Sequence, residues 1–293
     1  MKRTNGVRPP SPAASSTFDR EFDGEPGAGR PPRVLVIAGS DPSGGAGLQS
    51  DLKVVHAFGA YGTSVVTAIT VQDTVRVHEV SPIDPFLVER QLEAVLDDVG
   101  ADCIKIGMLA RRATVELVAR VCERKARGIP IVLDPVLVSS SGHELLEVEG
   151  HTTLIQRLMP LCALVTPNAP EASLITGLEI SEEAHIYQAA DRLLLMGQPA
   201  VLITGGHVGG EAVVDLLRTA DGLERRFEAR RVQESPHGTG CAMASAVAAG
   251  LAHGFTLESA VERAHAFVHD AIARAVRLGR GRPILQLGPR ADA

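Results

Sequence analysis

Three glycine-rich segments are the places where this chain could do chemistry. His237-Gly238-Thr239-Gly240-Cys241 opens an alanine-rich helical stretch. Glycines allow a ligand to approach main chain, and the unpaired N–H groups at a helix start favour an anion. A cysteine there is expected to have a lowered pKa and to serve as base or nucleophile. The plainer alternative is a packing turn with Cys241 as a small buried residue. Gly39-Ser40-Asp41-Pro42-Ser43-Gly44-Gly45-Ala46-Gly47 carries four glycines in nine residues. It has neither the Gly-Lys-Ser/Thr ending of a P-loop nor the dinucleotide glycine spacing. Thr204-Gly205-Gly206-His207 is the third.

Single polar residues add to these loops. Gln72 ends an apolar run with an amide that can both donate and accept toward a polar ligand, or it is merely solvated. Asp51 near a helix start complements the helix dipole. Asn168 and Glu171 have the spacing of a capping box. Asp134 precedes Pro135 and is a weaker metal candidate. Met108 lies in an apolar stretch and suits core packing.

Elements that could position these groups are legible around them. Strands are expected at 34–38, 63–71, 75–80, 102–106, 130–134, 162–166 and 200–204. Helices are expected at 45–58, 85–98, 112–126, 151–159, 169–176, 182–195, 238–253 and 257–278. Residues 212–219 and 223–229 form a hairpin pattern around Ala220-Asp221-Gly222. Alternating strands and helices imply an α/β fold with a mainly parallel sheet, whose ligands lie beyond the carboxyl ends of the strands. Residues 1–32 read as a disordered tail and 33–288 as a single domain.

The chain has 293 residues, 45% hydrophobic, and a net charge of −6. Only 3% of its residues are aromatic and none is Trp. Nucleic acid is therefore an unsuitable partner. No apolar run is long enough for a membrane span and no secretory leader is visible, so a cytoplasmic protein is expected. Cys103, Cys122 and Cys162 read as core thiols with no metal-ligand spacing. The histidines suggest no metal set, with His56, His253 and His265 expected on helix surfaces.

Seven blocks in order resemble the hydroxymethylpyrimidine and phosphomethylpyrimidine kinases of thiamine biosynthesis. They are Ala38–Gln49 with Asp51-Leu52-Lys53; Gly59–Gly62 with Thr67–Gln72; Lys105–Leu109; Val132–Val136; Thr166–Glu171; Gly205–His207; and His237–Cys241. The resemblance spans residues 33–285. It implies a ribokinase-like three-layer sandwich that transfers the ATP γ-phosphoryl group, with Mg²⁺, to the pyrimidine alcohol and then to its monophosphate.

The resemblance also implies roles. Cys241 would be the catalytic base, where most of the wider superfamily has Asp. Gly238, Thr239, Gly240 and Cys241 would form the anion hole. Gly39, Asp51, Gln72 and Met108 would contact the pyrimidine. Asn168, Glu171, Gly205 and Gly206 would serve ATP, with Glu171 reaching Mg²⁺ through water. A homodimer follows by analogy. Thr204 and Ser140 stand where many relatives have lysine, and Asp73 replaces a usual Asn. The alternatives are a pyridoxal or pyridoxine kinase of the same fold, a non-catalytic pyrimidine sensor, and a Cys241 hydrolase with His237 as base.

Overall fold

The computed structural model describes residues 29–139, 142–232 and 236–288. Most of the expected tail, residues 1–28, and also Ser140 and Ser141, lie outside the described residues. Arg30, at the end of that expected tail, is instead tied to Asp102 at 2.8 Å.

Val34 to Ala38 are apolar at every position because both faces of their strand are covered. Leu35 and Ile37 enter one core, while Val34, Val36 and Ala38 enter the other. This strand is β1 (Arg33–Ser40), and it is followed by β2 (Tyr61–Gln72), β3 (Val77–Pro82), β4 (Cys103–Ile106) and β5 (Ile131–Leu133). Then come β6 (Leu164–Val165), β7 (Ala200–Thr204), β8 (Ala212–Thr219) and β9 (Glu224–Arg230). They form one sheet in the order β3-β2-β1-β4-β5-β6-β7-β8-β9. The six strands from β2 to β7 are parallel. The others, β3, β8 and β9, join by short turns with no crossover helix and are antiparallel.

Helices cover both faces. One core is built from α2 (Pro85–Asp98), α3 (Arg112–Lys125), α4 (Val148–Thr153), α5 (Ala169–Thr176) and α6 (Glu183–Leu195). The other is built from α1 (Gly47–Ala57), α7 (Thr239–Ala252) and α8 (Leu257–Ala273). The expected three-layer α/β architecture is therefore present. No helix among the described residues is long and apolar enough to cross a membrane.

Three boundaries differ from expectation for local reasons. Helix α1 begins at Gly47 and not at residue 45, because Gly47 has φ +56°. The expected helix at 151–159 starts at Val148, then passes through a π turn (Leu154–Leu158) and a 3-10 turn (Met159–Leu161). Pro160 lacks the N–H needed to continue it. The last helix stops at Ala273 and not at 278, because Val276 turns back to pair with Ile284.

The chain runs from β1 outward to β2 and β3, then returns to place β4 on the other side of β1. Strand order therefore reverses between β1 and β4, and a crevice opens at their carboxyl ends. Gly39 and Met108 follow or end those two strands.

Candidate active site

At that crevice the loops meet main chain to main chain. A Cβ on Gly39 would lie 2.9 Å from Met108 Sδ, and one on Gly47 would lie 2.5 Å from the Gly39 carbonyl oxygen. Gly238 has φ +84°, and a Cβ there would lie 2.0 Å from the Gly45 carbonyl oxygen. No other residue type fits at Gly238, so the segment before α7 presses directly on the 39–47 loop. Asp41 shapes that loop by accepting hydrogen bonds from Ser43 N, Ser43 Oγ and Ala46 N at 2.8–2.9 Å. Gly238, Thr239, Gly240 and Cys241 remain partly exposed at the start of α7. Their position gives that crevice a row of helix-terminal N–H groups.

Beneath this start lies a buried charged group. Lys105 Nζ is 2.8 Å from Asp51 Oδ2 and 3.8 Å from Asp134 Oδ2, with no exposed side-chain surface. Ser245 Oγ donates to the other Asp51 oxygen at 2.8 Å. Burial opposes the Lys105 charge, but Asp51, Cys241 and Asp134 overcome it and raise its pKa. Burial raises Asp51 and Asp134 in turn, with Lys105 acting against it in both. Both Asp51 oxygens are engaged, by Lys105 and Ser245, and its side chain is buried, so it holds Lys105 in place under the crevice.

Cys241 is the partly exposed cysteine; Cys103, Cys122 and Cys162 are buried, as expected. Its thiol lies among Lys105, Asp134 and Asp51, close enough for their charges to act on it. The expected low pKa is not found. Removal from water raises the thiol well above its ordinary value, and Asp134 and Asp51 add to this against Lys105. The helix start does not outweigh the loss of water around the thiol.

Asn168 and Glu171 form a complete capping box on α5. Asn168 N donates to Glu171 Oε2, and Glu171 N to Asn168 Oδ1, each at 2.9 Å. Burial, then the Asp134 charge, raises Glu171 well above the usual carboxylate range. Asp134 Oδ2 is buried without a hydrogen-bond partner. Asp51 and Asp134 beside Lys105, with Glu171 next to Asp134, are more acidic groups than one ammonium can neutralise, and they leave one oxygen unsatisfied. These residues fit a hard divalent cation such as Mg²⁺.

Gln72 is half-buried at the crevice rim. Its amide nitrogen lies 2.7 Å from His237 Nε2, and Thr70 Oγ1 donates to its amide oxygen at 3.4 Å. Burial lowers the His237 pKa, so a neutral ring accepts from Gln72. His237 Nε2 is also 3.7 Å from Asp41 Oδ2. Met108 is only 7% exposed and packs with Ala68 and Ala110 beside Gly39.

The third loop is reached through Asn168, whose backbone pairs with Thr204. Gly205 needs correction as a nucleotide contact. It is buried, its N–H donates to Asp215 Oδ1 at 3.0 Å, and a Cβ would collide with Val214 O at 2.1 Å. Gly206 is exposed, with open space where a Cβ would be. Sequence reasoning missed the residue that shapes this loop. The Arg231 guanidinium donates to the carbonyls of Gly206, Val208 and Gly210. Replacing Arg231 by alanine is expected to raise KM for ATP about tenfold while leaving KM for the alcohol unchanged, measured by steady-state kinetics. Equal KM values for ATP in both proteins would detach this loop from the nucleotide.

Two further residues were missed. Lys105 had a visible signal, a lysine inside the apolar run Cys103–Ile106. Arg282 lies near both His207 and His237, lowering the pKa of each. Its signal was the basic glycine run Gly279-Arg280-Gly281-Arg282, where Gly281 allows the backbone to cross Thr74.

Residues 41–286 match the family model for phosphomethylpyrimidine kinase. The hydroxymethylpyrimidine/phosphomethylpyrimidine kinase of Rhizobium meliloti is 44% identical over 252 residues, covering 85% of this chain and 94% of that protein. A crystal structure of phosphomethylpyrimidine kinase from Clostridium difficile superposes with a TM-score of 0.73 at 36% identity, covering 82% of this chain and 99% of that one. Pyridoxal kinase from Staphylococcus aureus in complex with AMP-PCP gives a TM-score of 0.82 at 32% identity, covering 90% and 96%.

Proposed function

Because the chain belongs to the phosphomethylpyrimidine kinase family, we propose that the Gly238–Cys241 turn is where it transfers the ATP γ-phosphoryl group. The protein is a ribokinase-like phosphotransferase of thiamine biosynthesis that phosphorylates hydroxymethylpyrimidine and its monophosphate. The observation that carries the site assignment is the left-handed Gly238 seated on Gly45, which joins an anion-binding helix start to the 39–47 loop. Residues 33–288 act as one kinase domain in this reading.

The N–H groups of Gly238, Thr239, Gly240 and Cys241 receive charge that develops on the phosphoryl oxygens. Cys241 orients the alcohol and takes its proton late. A thiol that keeps its own proton cannot take another, so the accepting form is the thiolate, made strongly basic by burial, and a loose transition state asks little more of it. Gln72, held by His237, presents its amide to the pyrimidine, with Gly39 and Met108 forming the surface beneath the ring. Gly206 and the loop held by Arg231 border the nucleotide. Asp134 and Glu171 would hold Mg²⁺, Glu171 through water, and the ion would supply positive charge to the phosphates. Arg282 supplies positive charge nearby, in a site where Thr204 carries none. The working protein is a cytoplasmic homodimer, a reading supported by exposed Tyr61, Ile69 and Val71 on β2.

The test follows mono- and diphosphate products formed from hydroxymethylpyrimidine and ATP. Formation of both is expected; ADP release with pyridoxal and none with the pyrimidine would instead favour the pyridoxal kinase reading, which the likeness to that enzyme keeps alive. Gln72→Leu is expected to raise KM for the pyrimidine at least about tenfold, through loss of paired polar recognition, with KM for ATP unchanged. Equal changes in both KM values would count against the contact.

A further inference from the structure

A second polar cluster lies behind the Gly205 loop and takes no part in the chemistry at Cys241. Asp215 on β8 and His265 and His269 on α8 bring three potential ligand atoms within 4.8 Å of one another. We propose that these three residues form a binding site for a borderline divalent transition cation, with Zn²⁺ as the type occupant.

The donor set is the first reason. Two imidazoles and one carboxylate are a common ligand combination for Zn²⁺, leaving a fourth position for water. Mg²⁺ and Ca²⁺ prefer oxygen and are poorly served by two imidazoles. The helix supplies the second reason. His265 and His269 are four residues apart and so face the same way, their ring centroids 4.2 Å apart. The third reason is an unmet need. His265 Nε2 is buried without a hydrogen-bond partner, and Asp215 Oδ2 stands 3.9 Å away, too far to supply one. The other Asp215 oxygen is engaged by the Gly205 N–H, which fixes the carboxylate and leaves Oδ2 turned toward the histidines.

Tetrahedral Zn²⁺ holds its ligand atoms about 3.3 Å apart. The His265–Asp215 separation of 3.9 Å therefore needs to close by only a little, which side-chain torsions allow. Burial lowers both histidines, His265 to about 4, so each is a neutral ring with a lone pair to give. Burial also raises Asp215 to about 6, the cost of a buried carboxylate with one backbone partner; a cation would offset it. The expectation that His265 lies on a helix surface is corrected at the same time, since its side chain is 13% exposed.

The experiment uses the full chain, stripped of metal and titrated with Zn²⁺ by calorimetry in the presence of excess Mg²⁺. Co²⁺ replaces Zn²⁺ in a parallel titration followed by visible absorption. One site is expected, weakened at least about tenfold in both His265→Gln and His269→Gln, with nitrogen and oxygen ligation in the Co²⁺ spectrum. Circular dichroism and melting of the metal-free variants check that they fold; should one fail to, the other carries the comparison. Absence of binding, undiminished binding in the folded variants, or a thiolate charge-transfer band that places the metal on cysteine each overturns the proposal.

Discussion

Cys241→Ala is expected to lower kcat by about a hundredfold or more, the range for removing a positioned proton acceptor, with little change in either KM. The substitution keeps the backbone N–H at position 241, so the anion hole survives and only the sulfur is lost. Cys241→Ser restores a small polar atom at that point and is expected to fall between alanine and the natural enzyme. Steady-state kinetics with hydroxymethylpyrimidine and with its monophosphate measures both steps. Turnover of the alanine variant near the natural rate would falsify the role of the sulfur, while leaving phosphate binding by the helix start untouched.

That division between sulfur and main chain reflects what the amino-acid order discloses. Glycine spacing around Gly39–Gly47 and Gly238–Gly240 marks close backbone approach, because only glycine is tolerated where two chains nearly touch. Apolar runs such as Val34–Ala38 mark strands covered on both sides, and the alternation with helices yields the three-layer sheet. Capping chemistry was legible at Asn168 and Glu171 for the same local reason. Electrostatic state was not legible. Cys241 sits at a helix start, which alone lowers a thiol pKa, but its state is decided by burial and then by Lys105, Asp134 and Asp51, distant in sequence and brought in by the fold. Asp51 was legible as a helix-start carboxylate, but not its pairing with Lys105 and Ser245, which come from other elements. Gly205 looked like a nucleotide contact until Asp215 took its N–H. The pair His265 and His269 is spaced for joint ligation, yet its third partner comes from another layer.

Removing the ammonium from the buried group gives the second large effect. Lys105→Met is expected to destabilise the protein by about 3–5 kcal/mol, the usual consequence of leaving buried charge unpaired. Melting followed by circular dichroism should fall by on the order of 10 °C for a domain of this size. Two carboxylates, Asp51 and Asp134, then face each other across an apolar side chain without compensation. Asn in place of Asp51 in the same variant removes one of them and is expected to recover part of the loss. The pair of variants decides between two states of the resting enzyme. If the carboxylates are ionised around Lys105, the single variant is much less stable than the double one. If burial already keeps them protonated, both variants melt alike, and Lys105 contributes packing but no charge to the floor beneath Cys241. The first outcome is required by the surplus negative charge argued for Asp134 and Glu171, because a cation is drawn there only by carboxylates that remain ionised.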